Sequence, residues 1–94
     1  MPRAPNPDVT GLYSLIGERV RTARERSGVS REQLAARVKT TKTAISRLES
    51  GRHAPTVATL RKIASAFDGH LLIGFDVPPA KGRRARSRRE LARV

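Results

Sequence analysis

The sequence predicts a mainly α-helical fold of four helices followed by one β-strand. Between residues 12 and 69, four segments carry apolar side chains three or four positions apart, which is the spacing of one face of an α-helix. Over residues 71–77 the spacing changes to alternation, which is typical of a strand and ends at two prolines. The alternating side chains on one side of this strand are Leu71, Ile73, Phe75 and Val77.

Composition limits the chain to one small domain. Of its 94 residues, 37% are hydrophobic and only 3% are aromatic, so we expect an aliphatic core. A domain of this size buries only about 60% of its unfolded surface, and its stability is therefore marginal. No apolar run approaches the roughly 18 residues of a membrane-spanning helix, and the N-terminus lacks a secretory signal pattern. We therefore expect a cytoplasmic protein without a membrane partner. The absence of cysteine excludes disulfides and thiolate metal sites.

Proline and charge divide the chain into four parts. Residues 1–9 carry three prolines, which favour a disordered N-terminal arm. We assign residues 10–69 to a helical domain, residues 70–78 to a strand and residues 79–94 to a basic flexible tail. Lys and Arg number 20 against 8 Asp and Glu, and half of the net charge of +12 lies in residues 81–94. Such a basic chain is expected to bind a polyanion, with the tail attracting DNA, docking a protein partner or remaining solvated.

Local signals place the ends of the helices. The first helix covers about residues 12–27 and is expected to stop at Gly28. Ser30 and Gln33 have the spacing of a capping box, which starts the second helix. The remaining expected boundaries are Thr41 and Gly51 for the third helix, and Pro55, Thr56 and Gly69 for the fourth.

The second and third helices, over residues 30–51, are joined by a tight turn at Lys39 and Thr40. Two short helices with such a connection are typical of a helix-turn-helix, which makes double-stranded DNA the first partner to consider. The apolar residues of the third helix leave polar and basic side chains on its free face. The alternative interpretation is that this face is simply solvated.

Side chains on the third helix suit the edges of DNA bases. Arg47 can donate two hydrogen bonds to O6 and N7 of guanine, Thr43 can contact a thymine methyl group, and Lys42 can reach a base edge or a phosphate. Residues that flank the helices are expected to contact phosphates. The complete set of candidate DNA-binding residues is Arg31, Thr40, Thr41, Lys42, Thr43, Ser46, Arg47, Arg52 and His53.

Catalytic and metal-binding patterns are absent from the sequence. The two histidines, His53 and His70, lie 17 residues apart without cysteines or clustered carboxylates nearby. We find no nucleophile elbow, paired carboxylates or glycine-rich phosphate loop. We therefore expect neither an enzyme nor a bound cofactor or metal.

The strand over residues 71–77 has no second strand candidate in the sequence, so its backbone polar groups need another partner. The simplest solution is the same strand of a second copy, paired antiparallel across a two-fold axis. Such a homodimer would place two recognition helices in successive major grooves, roughly 34 Å apart on a palindromic site. The alternatives are a strand docked on its own helices or one donated to a different protein.

Three short segments form a recognisable set: QLA at residues 33–35, AISRLESG at residues 44–51 and TLRKIA at residues 59–64. Together they resemble the Xre family, which is the Cro and phage-repressor type of helix-turn-helix, and the resemblance covers about residues 15–69. It implies a lambda-repressor-like bundle of four or five helices, with the third helix in the major groove. It also implies that the amino end of the second helix faces a phosphate.

The resemblance implies two further features of this chain. Arg24 and Glu49 match positions that form a partly buried ion pair in the family, so we assign them a structural role. The family usually has glycine where this chain has Lys39, and a left-handed Lys there would cost about 1 kcal/mol relative to Gly.

These observations predict a sequence-specific transcriptional repressor that binds double-stranded DNA as a homodimer on a palindromic operator. A helix-turn-helix followed by a short dimerising strand is also similar to bacterial antitoxins of the HipB and HigA kinds, which repress their own operon and bind a toxin. The alternative function is therefore an antitoxin with a cognate toxin partner. A non-specific nucleoid protein or a scaffold protein is a further alternative.

Overall fold

The computed structural model describes residues 9–80 and 88–94, and these residues form four α-helices and a two-stranded antiparallel sheet. The predicted mainly α-helical architecture is confirmed. Of the predicted N-terminal arm, residues 1–8 lie outside the described residues, whereas Val9 already belongs to the first helix. The elements in chain order are α1 (Val9–Arg26), α2 (Arg31–Val38), α3 (Lys42–Glu49), α4 (Val57–Ala66), β1 (Leu72–Val77) and β2 (Arg88–Arg93).

The hydrophobic core lies where the four helices meet. It is aliphatic, as the low aromatic content predicted, and Leu34 of α2 is completely buried in it. Phe67, just after α4, packs against the core from its edge. The buried core residues are Val20, Val29, Leu34, Ala35, Ile45, Leu48 and Ile63.

Side-chain caps start α2, α3 and α4. The hydroxyl of Ser30 accepts a hydrogen bond from the Gln33 amide at 3.0 Å, and the Gln33 side chain accepts one from the Ser30 amide at 2.8 Å. This is the predicted capping box. Thr41 caps α3 by accepting from the Ala44 amide at 3.0 Å, and Thr56 caps α4 in the same way. Each cap is worth about 1 kcal/mol, because it satisfies an amide that the helix leaves unpaired.

The turn between α2 and α3 places Lys39 in the left-handed region, with φ 60° and ψ 50°. The amide of Thr40 then donates to the carbonyl of Ala35 at 2.8 Å, and the amide of Lys39 donates to the carbonyl of Ala36 at 3.3 Å. These two bonds form a Schellman motif, which usually has glycine at the left-handed position. The chain therefore carries the backbone cost of about 1 kcal/mol that a lysine has there relative to glycine.

The end of α4 differs from the expectation that Gly69 closes it. Asp68 takes the left-handed conformation with φ 57°, and the Gly69 amide donates to the carbonyl of Ala64 at 2.9 Å. Asp tolerates this conformation better than most residues, since its short polar side chain can bond locally.

Helices α1 and α3 lie close together at Gly17. A Cβ atom on this buried residue would lie within 2.6 Å of the carbonyl oxygens of Leu48 and Glu49. Only glycine leaves room for the α3 backbone at this distance. The packing of α1 therefore fixes the position of the C-terminal end of α3.

The expectation that the predicted strand has no partner within the chain is wrong. β1 pairs antiparallel with β2, in a register that runs from Leu72 opposite Arg93 to Val77 opposite Arg88. Residues 88–93 were predicted to belong to the flexible tail, but they form this second strand. Their arginine-rich sequence has no alternating apolar pattern, and pairing with the apolar neighbouring strand outweighs their weak propensity.

The hairpin formed by β1 and β2 leaves apolar side chains in solvent. Phe75 is 73% exposed and Leu91 is 64% exposed, and every residue of β1 is exposed. The alternation of β1 therefore does not produce a face that is buried within this chain.

Candidate nucleic-acid interface

The outer face of α3 is defined by the residues that the helix buries. Ile45, Leu48 and Glu49 point inward, as expected for residues three and four apart on one helix face. The opposite face is left to the polar and basic residues. Lys42, Thr43 and Arg47 are exposed on it, and Ser46 is half-buried.

Five of the predicted DNA-binding residues line one shallow depression on this face. It contains no acidic side chain, and three of its lining residues are cationic. Ser50 is a sixth lining residue that the sequence analysis missed, although it follows Ser46 by one helical turn on the same stripe. Its hydroxyl donates to the carbonyl of Arg47 at 3.1 Å. The residues lining the depression are Lys42, Thr43, Ser46, Arg47, Ser50 and Arg52.

Lys42 also contacts an acidic residue of the preceding helix. Its Nζ lies 3.3 Å from Oε1 of Glu32, and both side chains are more than half exposed. An exposed pair of this kind contributes at most about 1 kcal/mol. Lys42 can therefore exchange Glu32 for a DNA phosphate at little cost.

Four predicted contact residues, including Arg31, lie outside this depression. The hydroxyl of Thr41 is engaged in capping α3, which gives this residue a structural role. Thr40 and His53 are exposed. Their contact with DNA remains a prediction.

Arg24 and Glu49 are in direct contact between the C-terminal ends of α1 and α3. Arg24 Nε donates to Glu49 Oε2 at 2.6 Å, and Arg24 Nη2 donates to Glu49 Oε1 at 3.2 Å. Arg24 Nη1 also donates to the carbonyl of Val29 at 3.0 Å, which ties the loop before α2 to the pair. Both charged residues are buried, each 8% exposed.

The structure brings Arg31 to the same carboxylate. Arg31 Nε donates to Glu49 Oε1 at 3.0 Å, while its side chain remains 40% exposed. The sequence analysis assigned Arg31 to DNA contact and did not foresee this bond, since the two residues are 18 positions apart. Two arginines thus share one glutamate.

The Glu49 carboxylate raises the pKa of the Arg24 guanidinium above its usual value. The side-chain hydrogen bond is the largest cause, and attraction to the charges of Glu49 and Glu25 adds to it. Together these effects outweigh burial, which lowers the pKa. Arg24 therefore stays charged, and the pair is a fixed structural element of the site.

Within residues 9–80 and 88–94, no group of three or more His, Cys, Asp or Glu side chains could hold a metal ion. None of the helices in these ranges is long and apolar enough to cross a membrane.

Known proteins share this fold and motif. The family model for HTH_3 helix-turn-helix proteins matches residues 20–73, which is more than half of the chain. That range includes α2, α3 and the arginine–glutamate cluster. No curated protein is significantly similar in sequence.

Solved structures of bacterial regulators superpose on the chain. An HTH_3 family transcriptional regulator from Vibrio cholerae is 29% identical in sequence and superposes with a TM-score of 0.61. The match covers 66% of this chain and 35% of the regulator's chain. The chain thus spans about a third of that regulator's length. The restriction-modification controller protein C.AhdI from Aeromonas hydrophila is 26% identical with a TM-score of 0.63, covering 66% of this chain and 90% of its own.

A third similar structure is the clp gene regulator ClgR from Corynebacterium glutamicum, which is 25% identical with a TM-score of 0.59 and covers 71% of this chain and 82% of its own. The Xre-type resemblance predicted from the sequence is confirmed. The chain belongs to the HTH_3 helix-turn-helix family.

Proposed function

We propose that the protein is a sequence-specific transcriptional repressor that binds a palindromic operator as a homodimer. The observation that carries this proposal is the acid-free depression on α3, where Lys42, Arg47 and Arg52 surround hydroxyl side chains. Cations supply the phosphate attraction that any DNA-binding surface needs, and the hydroxyls and Arg47 supply groups that distinguish bases.

Base reading is assigned to the middle of the exposed α3 face. Arg47 donates to O6 and N7 of guanine, and Thr43 contacts a thymine methyl group. Ser46 is half-buried between them and accommodates either base type. Arg52, which lies beyond the end of α3, contacts a phosphate and fixes the angle at which α3 enters the groove.

The amino end of α2 supplies a second contact to the DNA backbone. A helix start presents free amides and the positive end of the helix dipole, which both favour a phosphate. Arg31, the first residue of α2, adds a charge at this position.

The homodimer is supported by the exposed sheet. β1 is paired with β2 along one edge. No other strand of residues 9–80 and 88–94 covers its second edge, so a second copy of β1 can pair there. Antiparallel pairing across a two-fold axis would give a four-stranded sheet in which the exposed Phe75 and Val77 gain cross-strand neighbours from the second copy. Two copies of α3 would then read half-sites roughly 34 Å apart.

The proposal is tested by footprinting the protein on the promoter of its own gene and by titrating the protected duplex against a random one of equal length. We expect a two-fold symmetric footprint and an affinity at physiological salt at least about 10³-fold higher than for the random duplex. Equal affinity for both duplexes would instead identify the non-specific nucleoid protein.

The antitoxin is the second candidate, and the apolar surface of the hairpin favours it. Phe75, Leu91 and Val77 are each more than half exposed, which is unusual for a small protein without a partner. Expression of the neighbouring open reading frame, with and without this protein, tests the idea. An antitoxin must rescue growth and form a stable complex with that product, whereas a plain repressor leaves growth unchanged.

A further inference from the structure

Glu49 is a buried acidic residue at the C-terminal end of α3, and it contacts an arginine of the proposed interface. Its side chain is only 3% exposed, and its carboxylate binds Arg24 and Arg31 together. Arg24 is enough to compensate the buried charge, because it donates to both carboxylate oxygens. The additional bond to Arg31 is therefore not needed to neutralise Glu49.

The bond fixes the direction of the Arg31 side chain. A guanidinium is planar, so holding its Nε orients the remaining N–H groups as a rigid fork. The side chain of Arg31 is 40% exposed, which leaves that fork accessible to solvent. Arg31 is also the first residue of α2, where free amides favour an anion.

We propose that Glu49 is a positioning residue for DNA binding, which aims the outer N–H groups of Arg31 at a phosphate beside the amino end of α2. This inference rests on the proposed DNA-binding function and goes beyond the structural ion pair with Arg24. The long Arg31 side chain loses rotamer freedom when it is held. Glu49 imposes that loss in the free protein, so less is lost on binding DNA.

A positioning role for Glu49 and simple electrostatics predict opposite changes in DNA affinity when Glu49 loses its charge. Removing a negative charge from a DNA-binding surface ordinarily strengthens binding, because repulsion of phosphates falls. If Glu49 positions Arg31, the change Glu49→Gln weakens binding even though it raises the net charge by one.

The experiment measures the dissociation constant and its salt dependence on a promoter duplex and on a random duplex, by fluorescence anisotropy with the full chain. Arg31→Ala removes one phosphate contact. The slope of log K against log salt is therefore expected to become less steep by about 0.9, and the affinity at 0.15 M salt to fall about five-fold. Glu49→Gln is expected to show much of the same loss. In the Arg31→Ala background, Glu49→Gln is expected to cause a smaller loss than it causes in the wild-type background.

Two variants separate positioning from folding. Arg31→Lys keeps the charge and the buried Arg24–Glu49 pair, but an ammonium cannot hold the carboxylate and present the same fork. It is expected to bind up to about five-fold more weakly with an unchanged melting temperature. Glu18→Gln removes an exposed charge from α1 and is expected to bind as wild type or more tightly.

The outcomes distinguish this inference from the function on which it rests. Wild-type affinity in Arg31→Lys, or tighter binding in a folded Glu49→Gln protein, overturns the positioning role and leaves the DNA-binding function intact. A wild-type protein that binds neither duplex overturns both. If Glu49→Gln does not fold, Arg31→Lys alone decides.

Discussion

Gly17 of α1 lies against the backbone of Glu49, so close that a Cβ atom on Gly17 would be 2.6 Å from the Glu49 carbonyl oxygen. The same Glu49 uses its side chain to bind Arg24, near the end of α1. Glu49 therefore attaches α3 to α1 through both its backbone and its side chain. The angle of the proposed recognition helix depends on this attachment.

Gly17→Ala is expected to destabilise the protein, although alanine favours helices by about 1 kcal/mol over glycine. The added methyl group meets backbone carbonyls, which cannot rotate away, so α1 and α3 must separate. Overpacking of this kind costs about 1–3 kcal/mol or more and outweighs the propensity gain. Thermal unfolding followed by circular dichroism measures the effect.

Thr22→Ala is the control for Gly17→Ala, because it also introduces alanine into α1 but at an exposed position. It is expected to leave the melting temperature unchanged or slightly raised. A Gly17→Ala protein as stable as wild type would show that α1 and α3 can shift without cost.

Lys39→Gly is expected to stabilise the protein by about 0.5–1 kcal/mol. Glycine adopts the observed φ of 60° without the steric cost that lysine carries. Ala36→Gly, at an exposed position inside α2, is the contrasting variant and is expected to destabilise by about 1 kcal/mol. Denaturant unfolding of the two variants gives the comparison.

The same Lys39→Gly variant tests whether the lysine is present for its charge. If Lys39 contacts a phosphate, the slope of log K against log salt becomes less steep by about 0.9 in this variant, while its stability rises. Higher stability with an unchanged salt slope would mean that the charge does not reach DNA.

The features that were predicted from the sequence are those that depend on residues close together in the chain. The capping box at Ser30 and Gln33 and the outward face of α3 follow from spacings of a few residues, and both were predicted. The bond between Arg31 and Glu49 was not predicted, because it joins two helices whose relative position depends on the packed core.

The second strand shows the same limit more sharply. β2 has neither alternation nor β-branched residues inside it, and it exists only through its pairing with β1. A sequence pattern reports local propensity, and here a non-local ladder of hydrogen bonds decided the structure. Gly17 was likewise overlooked, since a glycine inside a helix gives no local sign of the helix that will pack against it.

Arg47→Ala is expected to relax specificity at one base pair in each half-site. Loss of a bidentate arginine–guanine interaction removes about 1–3 kcal/mol of discrimination against the wrong base. Affinity for random duplexes should change little. A panel of duplexes with single base substitutions, titrated at constant salt, locates the affected position.

Arg61→Ala serves as the control for Arg47→Ala, since Arg61 is equally basic and exposed but lies on α4. It is expected to preserve the base preference at every position. If Arg47→Ala instead weakens binding uniformly on all sequences, Arg47 contacts only phosphate.

Phe75→Ser is expected to dissociate the proposed homodimer with little effect on the folding of the helical domain. Phe75 is 73% exposed in the single chain, so its loss leaves no cavity there. Sedimentation at micromolar concentration distinguishes monomer from dimer. Leu12→Ser, which replaces an exposed apolar residue of α1, is expected to leave the dimer intact. A wild-type protein that sediments as a monomer would contradict the proposal outright.

The basic segment before β2 is expected to strengthen DNA binding through charge alone. Arg83, Arg84 and Arg86 lie outside the described residues, and changing all three to Gln leaves the β2 sequence intact, whereas deletion of residues 81–94 would remove it. Removing each phosphate interaction should lower the salt slope by about 0.9, equally on promoter and random duplexes.

The matched control replaces Arg21, Arg61 and Lys62 with Gln, which removes the same charge from exposed positions outside the proposed interface. Equal slopes for the wild-type protein and the Arg83, Arg84 and Arg86 variant would exclude this segment from the DNA interface. Equal losses in both triple variants would mean that only the total charge matters, because the tail would then have no privileged position on the DNA.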